Sequence, residues 1–474
     1  MKMIHRGDII NSMLSEGESM HFNEYIGALR GKSVAILGMG ISNRPLAKLL
    51  LAAGISLTLR DKKEREAFGA WIDELEAAGA SLKLGAGYLD DLSENVIFKT
   101  PGIRPDIPQI VSARQSGCKI TSEMEAFFDV CPCPIIAVTG SDGKTTTATI
   151  ISKLLREAGY NVHLGGNIGK PLFADSAFIN KVDRVVVELS SFQLMTMGKS
   201  ADVAVVTNVT PNHLDYHRDM NEYISAKMNV FSAQRRSDLL VLNADDPIAF
   251  SFKQHAKGEV RLFSSVSSPD NGCFYDGKSV FYSVNGKTEL ILEKKDISIR
   301  GEHNILNLMA AYCAAADAVS SECCRAVAKR FTGVEHRIEP VRTLDGVTFY
   351  NDSIATSPTR TIAGLKSFDR KVILIAGGYD KNIPYAPLGP AIKECVKLLV
   401  LTGPTSRKIK AAALEAGADI EILEIDDFEA AVRTAAKAAK DGDIVLLSPS
   451  SASFDRFTNF EERGNTYKKI VMSL

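Results

Sequence analysis

Long apolar runs are missing from this 474-residue chain, since none reaches the ~18 residues a membrane-spanning helix requires. Charge of one sign is not in excess either. The formal net charge is −1, so no overall field draws nucleic acid or a lipid surface, and neither is expected as a partner. The eight cysteines fall into no repeated Cys/His spacing of the zinc-binding kind, so Cys131-Pro-Cys133 and Cys323-Cys324 read as reduced thiols. A secretory signal is not expected, because His5, Arg6, Asp8 and Glu16 interrupt the apolar residues of the first twenty. What remains is a cytoplasmic protein, expected to be a monomer, with length for about three domains.

The chemistry centres on Gly140-Ser-Asp-Gly-Lys-Thr-Thr146. An apolar β-branched run, 135–138, precedes it, and helical spacing follows from 148 to 158. Strand, glycine loop and helix together form a phosphate cradle. Backbone N–H groups at this helix start cradle phosphate, Lys144 adds positive charge and Thr145 can ligate Mg²⁺, so Gly140, Ser141, Asp142, Gly143 and Thr146 are read with them as nucleotide-binding. Only two residues separate the glycines, where the usual P-loop has four. With Lys-Thr-Thr attached and a strand in front, the loop reads as a nucleoside triphosphate site.

Residues 1–30 read as a leader, with Met20 as an alternative start. The strand at 32–37 runs into Gly38-Met-Gly40-Ile-Ser-Asn43, a dinucleotide fingerprint whose third glycine is replaced by Asn43. Asp61 follows the next strand, about where a ribose-binding acid would stand. The prolines around Cys131-Pro-Cys-Pro134 mark a linker. In the central part, Gly165-Gly-Asn-Ile-Gly169 is either a plain turn or a ligand-facing loop. Glu188 ends a buried strand, where a carboxylate holds Mg²⁺ or simply caps the next helix. Pro211-Asn-His-Leu-Asp-Tyr-His217 follows another strand, a place suited to metal or substrate. Residues 260–299 read as a small antiparallel patch. Asn304 and Asn307 share one helix face, able to read a purine edge or to cap and solvate. From Gly333 strands and helices alternate again as in a second dinucleotide-type sheet, with a hinge expected near Gly333-Val334. Its strand ends carry Asn351-Asp-Ser-Ile-Ala-Thr356, Gly377-Gly-Tyr-Asp-Lys381 and Ser448-Pro-Ser-Ser-Ala-Ser453.

Taken in order, Gly-Ser-Asp-Gly-Lys-Thr-Thr, Gly-Gly-Asn-Ile-Gly, Glu-Leu-Ser-Ser-Phe-Gln-Leu194, Asn-His-Leu-Asp, Glu-His-Asn, His336-Arg337 and Asn-Asp-Ser-x-Ala-Thr resemble the motifs of the Mur ligases of peptidoglycan synthesis. The resemblance covers about residues 30–474. The Ser-Ser-Phe-Gln-Leu motif and the tail Ser-Pro-x-x-Ala-Ser-x-Asp-x-Phe-x-Asn-Phe-Glu-x-Arg-Gly464 are similar to those of the members that add D-glutamate. It implies an α/β protein of three domains: a Rossmann-like UDP-binding domain (1–124, leader included), a central P-loop ATPase-type domain with the antiparallel patch (125–333), and a Rossmann-like amino-acid-binding domain (334–474).

By that resemblance ATP joins D-glutamate to UDP-N-acetylmuramoyl-L-alanine through an acyl phosphate. Lys144, His213 and Lys227 would be catalytic. Thr145 and Glu188 would hold one Mg²⁺, and His213 with a carbamylated Lys227 a second. Asn304 and Asn307 would face adenine, Asp352 the ribose and Arg337 the phosphates. Ser42, Arg60 and Gly102 would lie at the UDP moiety, Asn167, Ser190 and Gln193 at the muramoyl-alanine, and Lys381, Ser453 and Phe460 at D-glutamate. Two departures stand out. Ile354 replaces a frequent lysine, and Asp380 in Gly-Gly-Tyr-Asp-Lys has no assigned role. Rival classes are a nicotinamide oxidoreductase, which leaves Lys144, Thr145 and Glu188 idle, a nucleotide-controlled binding protein, which needs no metal pair, and a folate polyglutamate ligase, which should lack the Gly38 domain and the serine-rich tail.

Overall fold

A computed structural model describes residues 20–40, 42–213, 216–299, 301–381 and 383–474. The expectation for residues 1–19 lies outside them. The chain divides into two compact units, one ending at Phe331 and the other beginning at Thr332.

The described part of the first unit begins with a helix, Met20–Leu29, in a stretch expected as leader. Phe22, Ile26 and Leu29 recur at helical spacing, and all three are buried in the unit's main core, so this segment is structural. The rings of Phe22 and Tyr25 pack on Phe173 at 5.7 and 5.4 Å. Five strands follow: β1 (Ser33–Leu37), β2 (Ser56–Asp61), β3 (Ser81–Leu84), β4 (Val96–Lys99) and β5 (Lys119–Thr121). All pair in parallel in the order β3-β2-β1-β4-β5. The order reverses between β1 and β4, which opens a crevice at their C-terminal ends, where Gly38 and Gly102 lie.

The same unit holds a nine-stranded sheet. Its strands are β6 (Ile135–Thr139), β7 (Val162–Gly166), β8 (Arg184–Glu188), β9 (Val203–Val206), β10 (Leu239–Asn243), β11 (Glu259–Ser264), β12 (Gly272–Tyr275), β13 (Ser279–Val284) and β14 (Lys287–Glu293). The order is β14-β13-β12-β11-β10-β9-β6-β8-β7. β6 is buried along its whole length between β9 and β8, as its unbroken apolar run demands. The region expected as a small antiparallel patch continues this sheet: β12, β13 and β14 run antiparallel, while β11 and β12 pair in parallel. One apolar core joins residues of the first helix, the five-stranded sheet and the β6–β10 region. Each large side chain buried there contributes about 1.5–3 kcal/mol.

The second unit is a six-stranded sheet of β15 (Glu339–Leu344), β16 (Val347–Asn351), β17 (Val372–Ala376), β18 (Val396–Leu401), β19 (Glu421–Glu424) and β20 (Ile444–Leu447). Its order is β15-β16-β20-β17-β18-β19. β15 is an antiparallel edge, so the sheet is mixed where an all-parallel one was expected. Separate apolar clusters fill its two faces.

Candidate active site

The glycine loop leaves β6 and enters the helix Lys144–Glu157. Gly140 has φ +147°, and a Cβ there would stand 1.9 Å from Thr207 Oγ1. Gly143, at φ +81°, caps the helix, and its Cβ would meet Asn307 Oδ1 at 2.3 Å. Neither position accepts a side chain, which is why both are glycine despite the short spacing. The loop is pinned from below: Asn208 O accepts from Ser141 N, Asn208 Oδ1 from Asp142 N, and Ser141 Oγ lies 2.9 Å from Tyr223 OH. Thr146 is buried in the first turn of the helix.

Two lysines converge on one carbonyl. Lys144 Nζ donates to Gly140 O at 3.0 Å and Ser141 O at 2.8 Å, while Lys227 Nζ donates to Gly140 O at 2.7 Å. Lys227 sits on the helix Met220–Met228 and is almost wholly buried, at 1 % exposure. Burial, and next the neighbouring Lys144 charge, lower its pKa from 10.5 to about 6, so at neutral pH it is mainly an uncharged amine.

Beside the loop, Thr145 Oγ1 donates to Glu188 Oε2 at 2.7 Å, and Asn167 Nδ2 donates to Glu188 Oε1 at 2.8 Å. Two oxygen donors at the mouth of a phosphate loop suit a hard divalent cation such as Mg²⁺. Ser190 and Gln193 close a reciprocal capping box on the helix Ser191–Leu194, so part of their hydrogen bonding serves the fold. His213 takes φ +55°, uncommon for a residue with a side chain, and its ring lies 4.8 Å from that of Phe192. Among the described residues no three His, Cys, Asp or Glu side chains cluster tightly enough to hold a metal by themselves.

Asn304 and Asn307 start the helix Glu302–Ala315. Asn307 Nδ2 donates to Asn304 Oδ1 at 3.0 Å, and Asn307 Oδ1 accepts from Thr147 Oγ1 at 3.3 Å. Asn307 is therefore a buttress of the glycine loop, while the partly exposed Asn304 stands nearer the surface.

At the first sheet, Asn43 Nδ2 donates to Gly38 O at 2.7 Å, closing the turn from the place where a third glycine would stand. Asp61 Oδ2 accepts from Met39 N at 2.6 Å and Oδ1 from Lys63 N at 3.0 Å. The acid in the ribose position is thus committed to the protein's own backbone. Arg60 is buried and paired with Glu94 at 2.8 Å, and it also donates to the carbonyls of Tyr88, Asp90 and Asp91. This corrects its reading as a UDP ligand. An alternating strand brings its side chain beneath the loop that it ties down, whereas Ser42 and Gly102 are exposed at the crevice.

The second unit gathers its own set. Asp352 accepts from Ser448 Oγ at 2.7 Å and Ile338 N at 3.3 Å, and burial raises its pKa from 3.8 to about 7. Arg337 is exposed. Lys381 Nζ donates to Thr356 O at 3.3 Å, and its pKa is lowered by burial. Ser453 Oγ is buried with no hydrogen-bond partner among the described residues, so an acceptor or donor from a ligand would complete it. Phe460 begins the helix Phe460–Met472, its ring edge-on to His336 at 6.0 Å. Arg463, which the motif reading did not single out although it belongs to the terminal motif, is buried. It donates to Ser353 and to the carbonyls of Ser451 and Ala452, holding two strand-end loops together. Arg360 Nη1 donates to Ile354 O at 3.2 Å, so a guanidinium lies on the backbone where the frequent lysine is missing. Asp380 pairs with Lys408 at 2.5 Å.

Comparison with known proteins agrees with this arrangement. Residues 138–315 match the Mur ligase middle domain and residues 336–451 the glutamate ligase domain of Mur ligases. The UDP-N-acetylmuramoylalanine--D-glutamate ligase of Acetivibrio thermocellus is 51 % identical over 460 residues, covering 95 % of this chain and 98 % of the relative. The ligase of the same name from Clostridium novyi is 49 % identical over 458 residues, covering 96 % and 99 %. In fold, the UDP-N-acetylmuramate-alanine ligase of Thermotoga maritima superposes with a TM-score of 0.57 at 17 % identity, over 93 % of this chain and 99 % of that one. The chain belongs to the Mur ligase family, alongside its UDP-N-acetylmuramoylalanine--D-glutamate ligases.

Proposed function

We infer that this chain is a cytoplasmic, monomeric ATP-dependent ligase that joins D-glutamate to UDP-N-acetylmuramoyl-L-alanine, releasing ADP and phosphate. The observation that carries the reading is the cluster at the glycine loop: Thr145 on Glu188, with Lys144 and the buried Lys227 on Gly140 O. No helix among the described residues is long and apolar enough to cross a membrane. We assign three domains, one to each sheet, for UDP, ATP and the amino acid.

A carboxylate is a poor electrophile, so the alanyl carboxylate of the substrate attacks the γ-phosphate and becomes an acyl phosphate. The amine of D-glutamate then attacks the acyl carbon, and phosphate leaves. With Ser141 N and Asp142 N tied to Asn208, the loop from Gly140 to Gly143 presents its remaining backbone N–H groups and the helix start to the phosphates, and Lys144 swings from its carbonyl partners onto the charge that builds there. Thr145 and Glu188 would hold one Mg²⁺, and His213 with carbamylated Lys227 a second. The metal, when bound, supplies neutralisation of phosphoryl charge. The neutral amine of Lys227 is the form that adds CO₂, so burial favours carbamylation.

Asn304 faces adenine with Asn307 behind it, and the family resemblance gives Arg337 the phosphates and Asp352 the ribose. Ser42 and Gly102 bound the UDP crevice, and Asn167, Ser190 and Gln193 face the muramoyl-alanine. Lys381, Ser453 and Phe460 take D-glutamate, the unpartnered Ser453 hydroxyl being suited to a carboxylate. The engaged Asp61 argues against a nicotinamide dinucleotide in the first crevice. The test is ADP release against a panel of UDP-muramoyl substrates and D- and L-amino acids. Release that requires both UDP-N-acetylmuramoyl-L-alanine and D-glutamate is expected, and equal release with L-glutamate would refute the assignment.

A further inference from the structure

A chain of ionic and aromatic contacts joins the turn after β4 to the surroundings of His213, and the ligation chemistry makes no direct use of it. Arg104 is its hub. Nε and Nη2 donate to the two carboxylate oxygens of Asp106 at 2.8 and 2.9 Å, and Nη2 and Nη1 to those of Glu222 at 2.9 and 3.1 Å. Nη1 also donates to Tyr216 O, and the guanidinium lies 5.3 Å from the centre of the Tyr216 ring. Arg104 thus makes bidentate contacts with two acids and is four-fifths buried, a setting in which ion pairs are screened far less than on the surface.

Both ends of this chain reach the site. Tyr216 OH donates to Pro101 O at 2.9 Å, next to Gly102. On the other side, Glu222 lies on the helix that carries Lys227 and approaches His217 Nδ1 at 3.5 Å. His217 is buried, its Nε2 is 2.9 Å from Ser191 Oγ, and its ring stacks on Phe192 at 5.7 Å. Phe192 in turn touches the rings of both His213 and Tyr216. Glu222 is held below the usual carboxylate range, chiefly by its Arg104 hydrogen bonds, so the hub stays ionised at neutral pH.

We propose that Arg104 is a positioning residue for the UDP-linked substrate, holding the Pro101-Gly102 turn in register with His213 and with the Ser190–Gln193 cap. The proposal rests on the ligase reading above. A substrate anchored by its uridylate at the first crevice must deliver its distal carboxylate to the glycine loop. A misplacement of 1 Å between anchor and loop costs on the order of 100-fold in rate. ATP meets the glycine loop without this register, so the two substrates should respond differently to its loss.

Steady-state ADP release by the full chain, with each substrate varied in turn, tests this in Arg104→Gln, Arg104→Lys and Tyr216→Phe. For Arg104→Gln, KM for UDP-N-acetylmuramoyl-L-alanine should rise ~10-fold or more, with kcat lowered and KM for ATP within ~2-fold of wild type. Arg104→Lys keeps the charge without the planar fork and should recover only part of the loss. A role in packing alone would lower thermal stability and leave both KM values alone. That result, or an equal rise of both, overturns the proposal. If Arg104→Gln does not fold, Tyr216→Phe decides the matter. It removes one hydroxyl and should raise KM for the UDP substrate roughly 2–10-fold, and an unchanged KM overturns the proposal. Wild-type enzyme that releases no ADP with these substrates would instead overturn the ligase reading itself, and the proposal with it.

Discussion

Replacing Lys227 by methionine should make the protein more stable and inactive at once. The lysine's folded pKa is about 6, against an ordinary 10.5, because burial and the adjacent Lys144 disfavour the ammonium. Between those two values the unfolded chain binds a proton that the native state does not, so native stability rises with pH and is lost as pH falls towards 6. Each unit of pKa difference is worth 1.36 kcal/mol, so at pH 8 the buried amine costs about 3 kcal/mol. Methionine fills nearly the same volume without ionising. It loses the hydrogen bond to Gly140 O, worth about 1 kcal/mol, although Lys144 still donates to that carbonyl. The variant should therefore gain about 2 kcal/mol at pH 8, more at pH 7 and nothing near pH 10. Thermal unfolding in CO₂-free buffer at several pH values, with ADP release measured in parallel, checks both halves. A variant no more stable than wild type at pH 7, with a difference flat from pH 6 to 10, would refute the burial argument. Retained ligation would refute the assigned role.

Lys144→Ala should abolish ADP release while the unfolding midpoint stays near that of wild type, because the hydrogen bonds it gives to Gly140 O and Ser141 O are each worth only about 1 kcal/mol. Near-normal turnover would remove the phosphate-loop assignment. Asp352, with a folded pKa raised to about 7, contributes stability that is fully present below 3.8 and has gone once pH passes 7. Asp352→Asn should accordingly shrink the stability difference of the second unit between pH 5 and pH 8, and an unchanged difference in thermal unfolding would contradict the raised value. Calorimetric titration should find the UDP-linked substrate bound more tightly than NAD, since Asp61 is engaged by Met39 N and Lys63 N, and the reverse order would reinstate a dinucleotide site.

Much of this site is local in the chain, and so was legible. Gly140, Lys144 and Thr145 lie within one strand–loop–helix unit whose geometry follows from backbone preferences alone. Glu188 could be placed because a buried parallel strand delivers its last residue to the same sheet edge as β6. The strand pairing of residues 260–299 was less legible. Asn-Gly and Asp-Gly turns announce hairpins, but nothing local shows that β11 joins β10 and β12 in parallel. The helix Met20–Leu29 is not legible locally, because its apolar stripe is short and acquires meaning only once Phe173 is there to receive it.

The sequence by itself determined the phosphate loop, the α/β class and, through ordered motifs, the family, because each depends on residues adjacent in the chain. Tertiary structure alone decided what distant residues do to one another. Arg60 and Asp61 are neighbours in the fingerprint region, yet one is spent on Glu94 and the other on Met39 N. Lys227 looks like any solvated helical lysine until the chain buries it on Gly140 O, 87 residues away. Arg104 has no motif to mark it, and its contacts with Tyr216 and Glu222 span 112 and 118 positions. Charge and hydrogen-bonding capacity belong to the residue, whereas desolvation and partner geometry belong to the packed fold, and the pKa values and ion pairs of this site are set by the latter.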